Sequence, residues 1–165
     1  MIAKLRCLSP LGELTVAADE TAILALTFSG QKYETEHIPD SAVERETPLL
    51  LAACRWLDAY FAGEKPESGL LPLNPQGSVF RRLVWRELLL IPYGQTVAYG
   101  EIAHKLGASA RAVGGAVGHN PISILIPCHR VVGADGGLTG YAGGLERKKQ
   151  LLALEGNVIK VREAK

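Results

Sequence analysis

Between Glu64 and Gln76 the chain carries Pro66, Gly69, Pro72 and Pro75. Neither a helix nor a central strand tolerates prolines at that density, so this segment reads as a connector. It separates two differently patterned parts, residues 1–75 and residues 76–165. In the first, residues 5–8, 13–18 and 22–28 are apolar or alternating stretches parted by Pro10-Leu-Gly12 and Asp19-Glu-Thr21. That pattern predicts an antiparallel meander. Thr47-Pro48 then predicts a helix start, with Thr as cap and Pro suited to the first helical position. Leu49, Leu50, Ala53, Trp56, Leu57, Tyr60 and Phe61 recur at helical spacing, and Gly63 is the expected stop. Cys54 lies beside that stripe and reads as a small packed residue.

The second part reads as helices. Ser78 opens one expected to carry Phe80, Leu83, Val84, Glu87 and Leu88, with Arg81, Arg82 and Arg86 on its outward face. Two short helices follow, over about residues 97–106 and 109–118, joined at Gly107-Ala-Ser109, the outline of a helix-turn-helix. The second of these is nearly devoid of side chains: Ala110, Ala112, Gly114, Gly115, Ala116 and Gly118, with Arg111 its single long one. A glycine inside a helix costs about 1 kcal/mol relative to alanine, so three need a reason. Close packing on another helix is one; close approach of a nucleic-acid backbone is the other. Residues 124–126 look like a buried strand ended by Pro127, and a loop with six glycines runs over 133–144 before a last helix of about 145–155.

Composition narrows the class. The 165 residues are 47% hydrophobic and 21% charged, which suits a packed core and excludes wholesale disorder. No run is long and apolar enough to span a membrane, and the first residues lack the layout of a secretory leader. Three cysteines, Cys7, Cys54 and Cys128, are too few and too scattered for a disulfide framework or a Cys-x-x-Cys metal site. The expectation is a reduced, metal-free, cytoplasmic protein. Net charge is +1, but residues 1–75 hold 6 basic and 11 acidic residues, whereas residues 76–165 hold 12 and 6. The basic part is where a polyanion would sit.

Cys128 emerges after Pro127 with His129 directly behind it and Arg130 next. Only a thiolate is a good nucleophile, and a free thiol is mostly protonated at neutral pH, so the chemistry needs a base. In an extended chain, neighbouring side chains point to opposite sides, which favours a bridging water over a direct thiol–imidazole contact. Ile126-Pro-Cys-His-Arg-Val-Val132, preceded by Arg111-Ala-Val-Gly-Gly-Ala116 and Asn120-Pro121, resembles the O6-alkylguanine-DNA alkyltransferases. Ile91-Pro-Tyr-Gly94, Tyr99-Gly-Glu-Ile-Ala103, Gly140-Tyr-Ala-Gly-Gly144 and Leu154-Glu-Gly156 extend the resemblance in order. The first part matches more loosely, through Ser9-Pro-Leu-Gly12 and Tyr60-Phe-Ala-Gly63.

The resemblance implies an α/β (α+β) chain: an N-terminal ribonuclease-H-like antiparallel sheet domain and a C-terminal helical domain with a winged-helix-like helix-turn-helix. It implies Cys128 as alkyl acceptor, His129 as base through a water, and Glu155 as the partner that orients His129. Tyr99 would hydrogen-bond the flipped guanine, and Asn120 would brace the segment leading to the cysteine. Arg111 would fill the vacated place in the base stack, on a helix whose Ala110, Ala112 and Gly114 admit the DNA. Val131, Tyr141, Ala142 and Gly143 would form the guanine pocket. Double-stranded DNA carrying O6-alkylguanine, entered from the minor groove by a monomer, is the implied partner, with O4-methylthymine a second implied lesion and no cofactor or metal. The Leu106-to-Arg111 turn is shorter than the family usually carries, and Ala142 stands where some members have a hydroxyl. The alternatives are a non-catalytic lesion sensor on the same scaffold, whose members replace the cysteine, a transcription regulator, and a cysteine hydrolase. Glu155 and Tyr99, taken without the family, read as a solvated helix end and half-buried core.

Overall fold

The structure is a computed structural model that describes residues 1–157; the last eight residues of the second part lie outside it. The chain forms two compact units, each taken by itself: Met1–Gln76 with Pro121–Leu125, and the remainder, Gly77–Asn120 with the chain from Ile126 onward. The return of Pro121–Leu125 to the first unit is a crossing that a boundary drawn once along the sequence does not describe.

In the first unit, β1 (Ala3–Ser9), β2 (Gly12–Ala18) and β3 (Ile23–Phe28) form the expected antiparallel meander. A helical turn, α1 (Glu34–His37), precedes β4 (Val43–Glu44), which adds parallel to β1, giving the order β3-β2-β1-β4. Helix α2 (Pro48–Phe61) starts as its sequence predicts, with the Thr47 side chain accepting from the Leu50 amide. It buries Leu50, Ala53, Trp56, Leu57 and Tyr60 and packs on β1 and β2. Cys54 is not a free packed residue. It is disulfide-bonded to Cys7 of β1, with Cα atoms 5.7 Å apart, so the expectation of three reduced thiols is wrong for two of them. Two residues 47 apart in sequence meet because α2 lies across the strand that carries Cys7.

Residues 124–126 do not form the expected strand. Ile122 alone bridges to Leu26, while the following residues turn, with Ile124 in the left-handed region at φ 69°. A β-branched residue there is a genuine outlier, and the apolar run is buried because it turns inside a core, not because it pairs along a ladder.

In the second unit, α3 (Val79–Leu88) is capped by Ser78. The packed side differs from the expectation: Leu83 is 40% exposed, and Trp85 is buried with its indole N–H donating to the Ala116 carbonyl at 2.8 Å. An aromatic with a polar tip outcompetes Leu83 because it can satisfy a backbone acceptor as it fills the core. Strand β5 (Val97–Ala98) leads into α4 (Tyr99–Leu106), and Gly107, at φ 65°, ends that helix. Ser109 caps α5 (Ala110–Gly118) through the Ala112 amide. A 3₁₀ turn, Cys128–Arg130, runs into β6 (Val131–Val132), which pairs parallel with β5. Helix α6 (Leu145–Leu154) closes the unit and packs on the 3₁₀ turn.

Candidate active site

Cys128 sits at the start of the 3₁₀ turn, not on extended chain, so the alternation expected between it and His129 does not apply. Its amide donates to the Ile126 carbonyl at 2.7 Å, and Asn120 Nδ2 donates to the same carbonyl at 2.9 Å. Asn120 thereby ties the end of α5 to the entry of the turn. Cys128 is buried and is the free cysteine among the described residues. Burial pushes its thiol up, opposed chiefly by the Asn120 side chain and by the nearby Lys148 charge. The resting sulfur is therefore a protonated thiol at neutral pH and needs a base.

His129 is fully buried, and its Nε2 lies 2.7 Å from Glu155 Oε2. Glu155 is the residue after α6 and is buried too, so it is not a solvated helix end. Arg130 holds it with a two-pronged grip, Nε to Oε1 at 2.7 Å and Nη2 to Oε2 at 3.0 Å, while Nη1 donates to the Ile91 carbonyl at 2.8 Å. A carboxylate gripped by a guanidinium stays ionised and can only accept, so the imidazole must donate through Nε2. That fixes the tautomer and leaves Nδ1 as the basic nitrogen. Nδ1 is buried with no hydrogen-bond partner among the described residues. Burial lowers the His129 pKa, with Glu155 pulling the other way, so the ring is neutral and able to take a proton. Arg130 charge-balances Glu155 here.

Pairing of Val97 and Ala98 with Val131 and Val132 places Tyr99, the first residue of α4, beside the strand that follows the cysteine. Tyr99 is partly buried, and its hydroxyl hydrogen-bonds the Thr139 side chain. Burial pushes its pKa up, so it remains a neutral phenol. An added Cβ on Gly114 would lie 4.0 Å from Tyr99 Cδ1, so the bare stretch of α5 passes next to that ring. Val113, Ala116 and Val117 face inward, whereas Arg111 and Ala112 are exposed, and a Cβ added at Gly115 or Gly118 would meet nothing within 4 Å. Close packing within the protein does not explain these two glycines.

Val131 is buried in β6, Gly143 is buried, and Tyr141 and Ala142 are half-buried in the glycine-rich loop, with Tyr141 near the Cys128 thiol. One residue of this cluster escaped sequence reasoning. Lys148, on α6, is fully buried, with Nζ donating to the Val131 carbonyl at 2.6 Å and the Thr139 carbonyl at 3.0 Å. Burial lowers its pKa to about 8. The signal available was its place three residues before Leu151, on the packed side of the helix.

One of the two units thus carries a buried thiol, a buried neutral imidazole held by a carboxylate–guanidinium pair, and a helix-turn-helix. Residues 7–75 match the ribonuclease-like domain of 6-O-methylguanine DNA methyltransferase, and residues 79–157 match its DNA-binding domain. The methylated-DNA–protein-cysteine methyltransferase of Mycolicibacterium paratuberculosis is 52% identical over 150 residues, spanning 89% of this chain and 88% of that protein. That of Methanosarcina acetivorans is 48% identical over 151 residues, 90% and 95% of the two chains. The crystal structure of Mycobacterium tuberculosis OGT in complex with DNA superposes with a TM-score of 0.84 at 43% identity, covering 93% of this chain and 92% of that one. The chain belongs to the methylated-DNA–protein-cysteine methyltransferase family.

Proposed function

We propose that the protein repairs DNA by direct reversal, moving an alkyl group from guanine O6 to Cys128 in a reaction it performs once. The observation that carries this reading is the fixed tautomer of His129, the residue next to the free cysteine: Nε2 is committed to Glu155 and Nδ1 is left buried and available as a base. The thiol proton passes through a water to Nδ1, and the imidazolium is stabilised by Glu155. The sulfur attacks the alkyl carbon, the carbon–O6 bond breaks, and its electron pair leaves with the guanine oxygen. A thioether remains. No second thiol lies in this cluster among the described residues to remove the alkyl group, since Cys7 and Cys54 are bonded to each other.

The partner in this reading is duplex DNA, entered through the minor groove. That groove is only about 6 Å wide, which suits a helix stripped to glycine and alanine. Ala110, Ala112 and Gly114 let the backbone approach, and exposed Arg111 is the long side chain able to occupy the place of an extruded base. Extrusion costs a few kcal/mol, less for a weakly paired lesion. Tyr99 contacts the extruded base, and the Val131 backbone, Tyr141, Ala142 and Gly143 enclose it. Asn120 holds the Cys128 turn in register. The protein acts as a monomer. A lesion sensor without chemistry would not need the acid–base cluster, and its members lack the cysteine.

The test is stoichiometry. Increasing amounts of protein are incubated with excess duplex containing O6-methylguanine, and the repaired strand should plateau at one mole per mole of active protein. Continued turnover, or equal repair by Cys128→Ala, contradicts the reading.

A further inference from the structure

Lys148 stands apart from the other charged groups of the site. Its ammonium is fully buried, both of its recorded acceptors are neutral carbonyls, and no carboxylate pairs with it among the described residues. A buried cation without a counter-ion is costly, and a hydrophobic side chain of similar length would fill the space at less cost. Packing alone does not account for it. Its two carbonyls belong to different pieces of chain: Val131 to the strand after the cysteine, and Thr139 to the glycine-rich loop. The other bonds of that loop run within it, as Gly133 N–H to Gly137 O, Gly136 N–H to Gly133 O, Gly137 N–H to Asp135 and Gly144 N–H to Tyr141 O, or tie only its last two residues to α6, through Arg147 Nη1 to Gly143 O and the Lys148 amide to Gly144 O. Beyond the loop, the Thr139 side chain bonds Tyr99, and Tyr141 lies near the Cys128 thiol. The Lys148 ammonium also lies 5.8 Å from the Tyr99 ring centroid. Thr139 is thus a node at which one ammonium and one phenol fasten the loop over the sulfur.

We propose that Lys148 is a positioning residue for the alkyl transfer: its ammonium pins the glycine-rich loop shut over Cys128 through the Thr139 carbonyl. Release of that one bond lets a base reach the sulfur, while the bond to Val131 keeps the positive charge beside the forming thiolate. This rests on the repair reading for its purpose, but not for its test. The titratable groups that face the ammonium are Cys128 and His129 on the 3₁₀ turn and Tyr99 at the start of α4. None carries a negative charge at neutral pH, so the two carbonyls hold the ammonium.

The test uses the full chain without DNA, in wild-type, Lys148→Met and Lys148→Arg forms. Amide hydrogen exchange in residues 133–144 should speed up about tenfold in Lys148→Met, while α5 and the β1–β3 sheet stay unchanged. With Cys7 and Cys54 bonded to each other, Cys128 is the thiol open to alkylation, so its rates with iodoacetate and iodoacetamide are read by intact mass. The preference for the anionic reagent should fall several-fold in Lys148→Met and return in Lys148→Arg, a readout that packing alone would not move. If neither variant folds, wild-type loop exchange, corrected for its intrinsic pH dependence, should rise as pH passes about 8. The same rise should persist in Cys128→Ala. Unchanged loop exchange, a uniform increase across the whole unit, an unmoved reagent ratio, or a pH response lost with Cys128 would each overturn the latch. A latch seen in a protein that transfers no methyl group would reject the repair reading alone.

Discussion

At the scale of single residues, the site separates three charge problems. Glu155 is kept ionised by Arg130, His129 is kept neutral by burial, and Cys128 is kept protonated until a base acts. The His129 shift has a thermodynamic consequence whose sign is fixed. Its folded pKa lies below the usual 6.5, so the unfolded chain takes up the proton first as pH falls. The stability that neutral His129 contributes is complete above pH 6.5 and is lost progressively below it, down through the folded value. Thermal unfolding followed from pH 7.5 to pH 5 should therefore show a falling midpoint, and His129→Gln should flatten that slope. A midpoint insensitive to pH in wild type, or an equal slope in the variant, would contradict the assignment of His129 as a buried neutral base.

At the scale of elements, α5 combines a poor helix sequence with an ordinary helix. Its cap, Ser109, and the Trp85 bond to Ala116 hold it from one side, so the outward glycines carry no packing duty. Gly115→Ala should raise or leave unchanged the stability of the fold, by up to about 1 kcal/mol, because a helical alanine is preferred and the new Cβ meets nothing within 4 Å. The same substitution should weaken binding to duplex DNA. Chemical denaturation and an affinity measurement on one sample check both halves; loss of stability without loss of affinity would return the glycines to a structural role. Elements of this kind were readable from sequence wherever a local rule acts. Thr47, Ser78 and Ser109 cap the helices they announce, and Gly107 ends α4 in the left-handed conformation glycine allows. Reading failed where the deciding contact is distant. Residues 124–126 have strand composition but no strand partner beyond Ile122. Leu83 fits the helical stripe, yet Trp85 takes the core because of an acceptor 31 positions away. Lys148 looks like an ordinary charge on a final helix until two carbonyls from other segments surround it.

At the scale of the whole molecule, sequence and structure divide the chemistry unevenly. Cys128, His129 and Glu155 all belong to the unit that begins at Gly77, while the sheet unit holds the disulfide. The motif around Cys128 was legible because its residues are nearly contiguous; the Cys7–Cys54 bond was not, because 47 residues of separation hide it. A cross-link of that span restricts the unfolded chain and typically adds about 2–4 kcal/mol. Reduction should lower the thermal midpoint of the protein, measured with and without a thiol reductant, and Cys54→Ser should unfold at the reduced value in either condition. An unchanged midpoint would show that the bond contributes nothing to stability. Neither treatment touches Cys128, His129 or Glu155, so methyl transfer at a temperature below both midpoints should continue.

The central claim is that Cys128 itself receives the alkyl group. Intact mass, followed by peptide mapping, is measured after incubation with a duplex bearing one O6-methylguanine. The account predicts one added methyl group, located on the peptide that contains Cys128 and absent from Cys128→Ala. A repaired duplex with an unmodified protein, or a methyl group on any other residue, would contradict it.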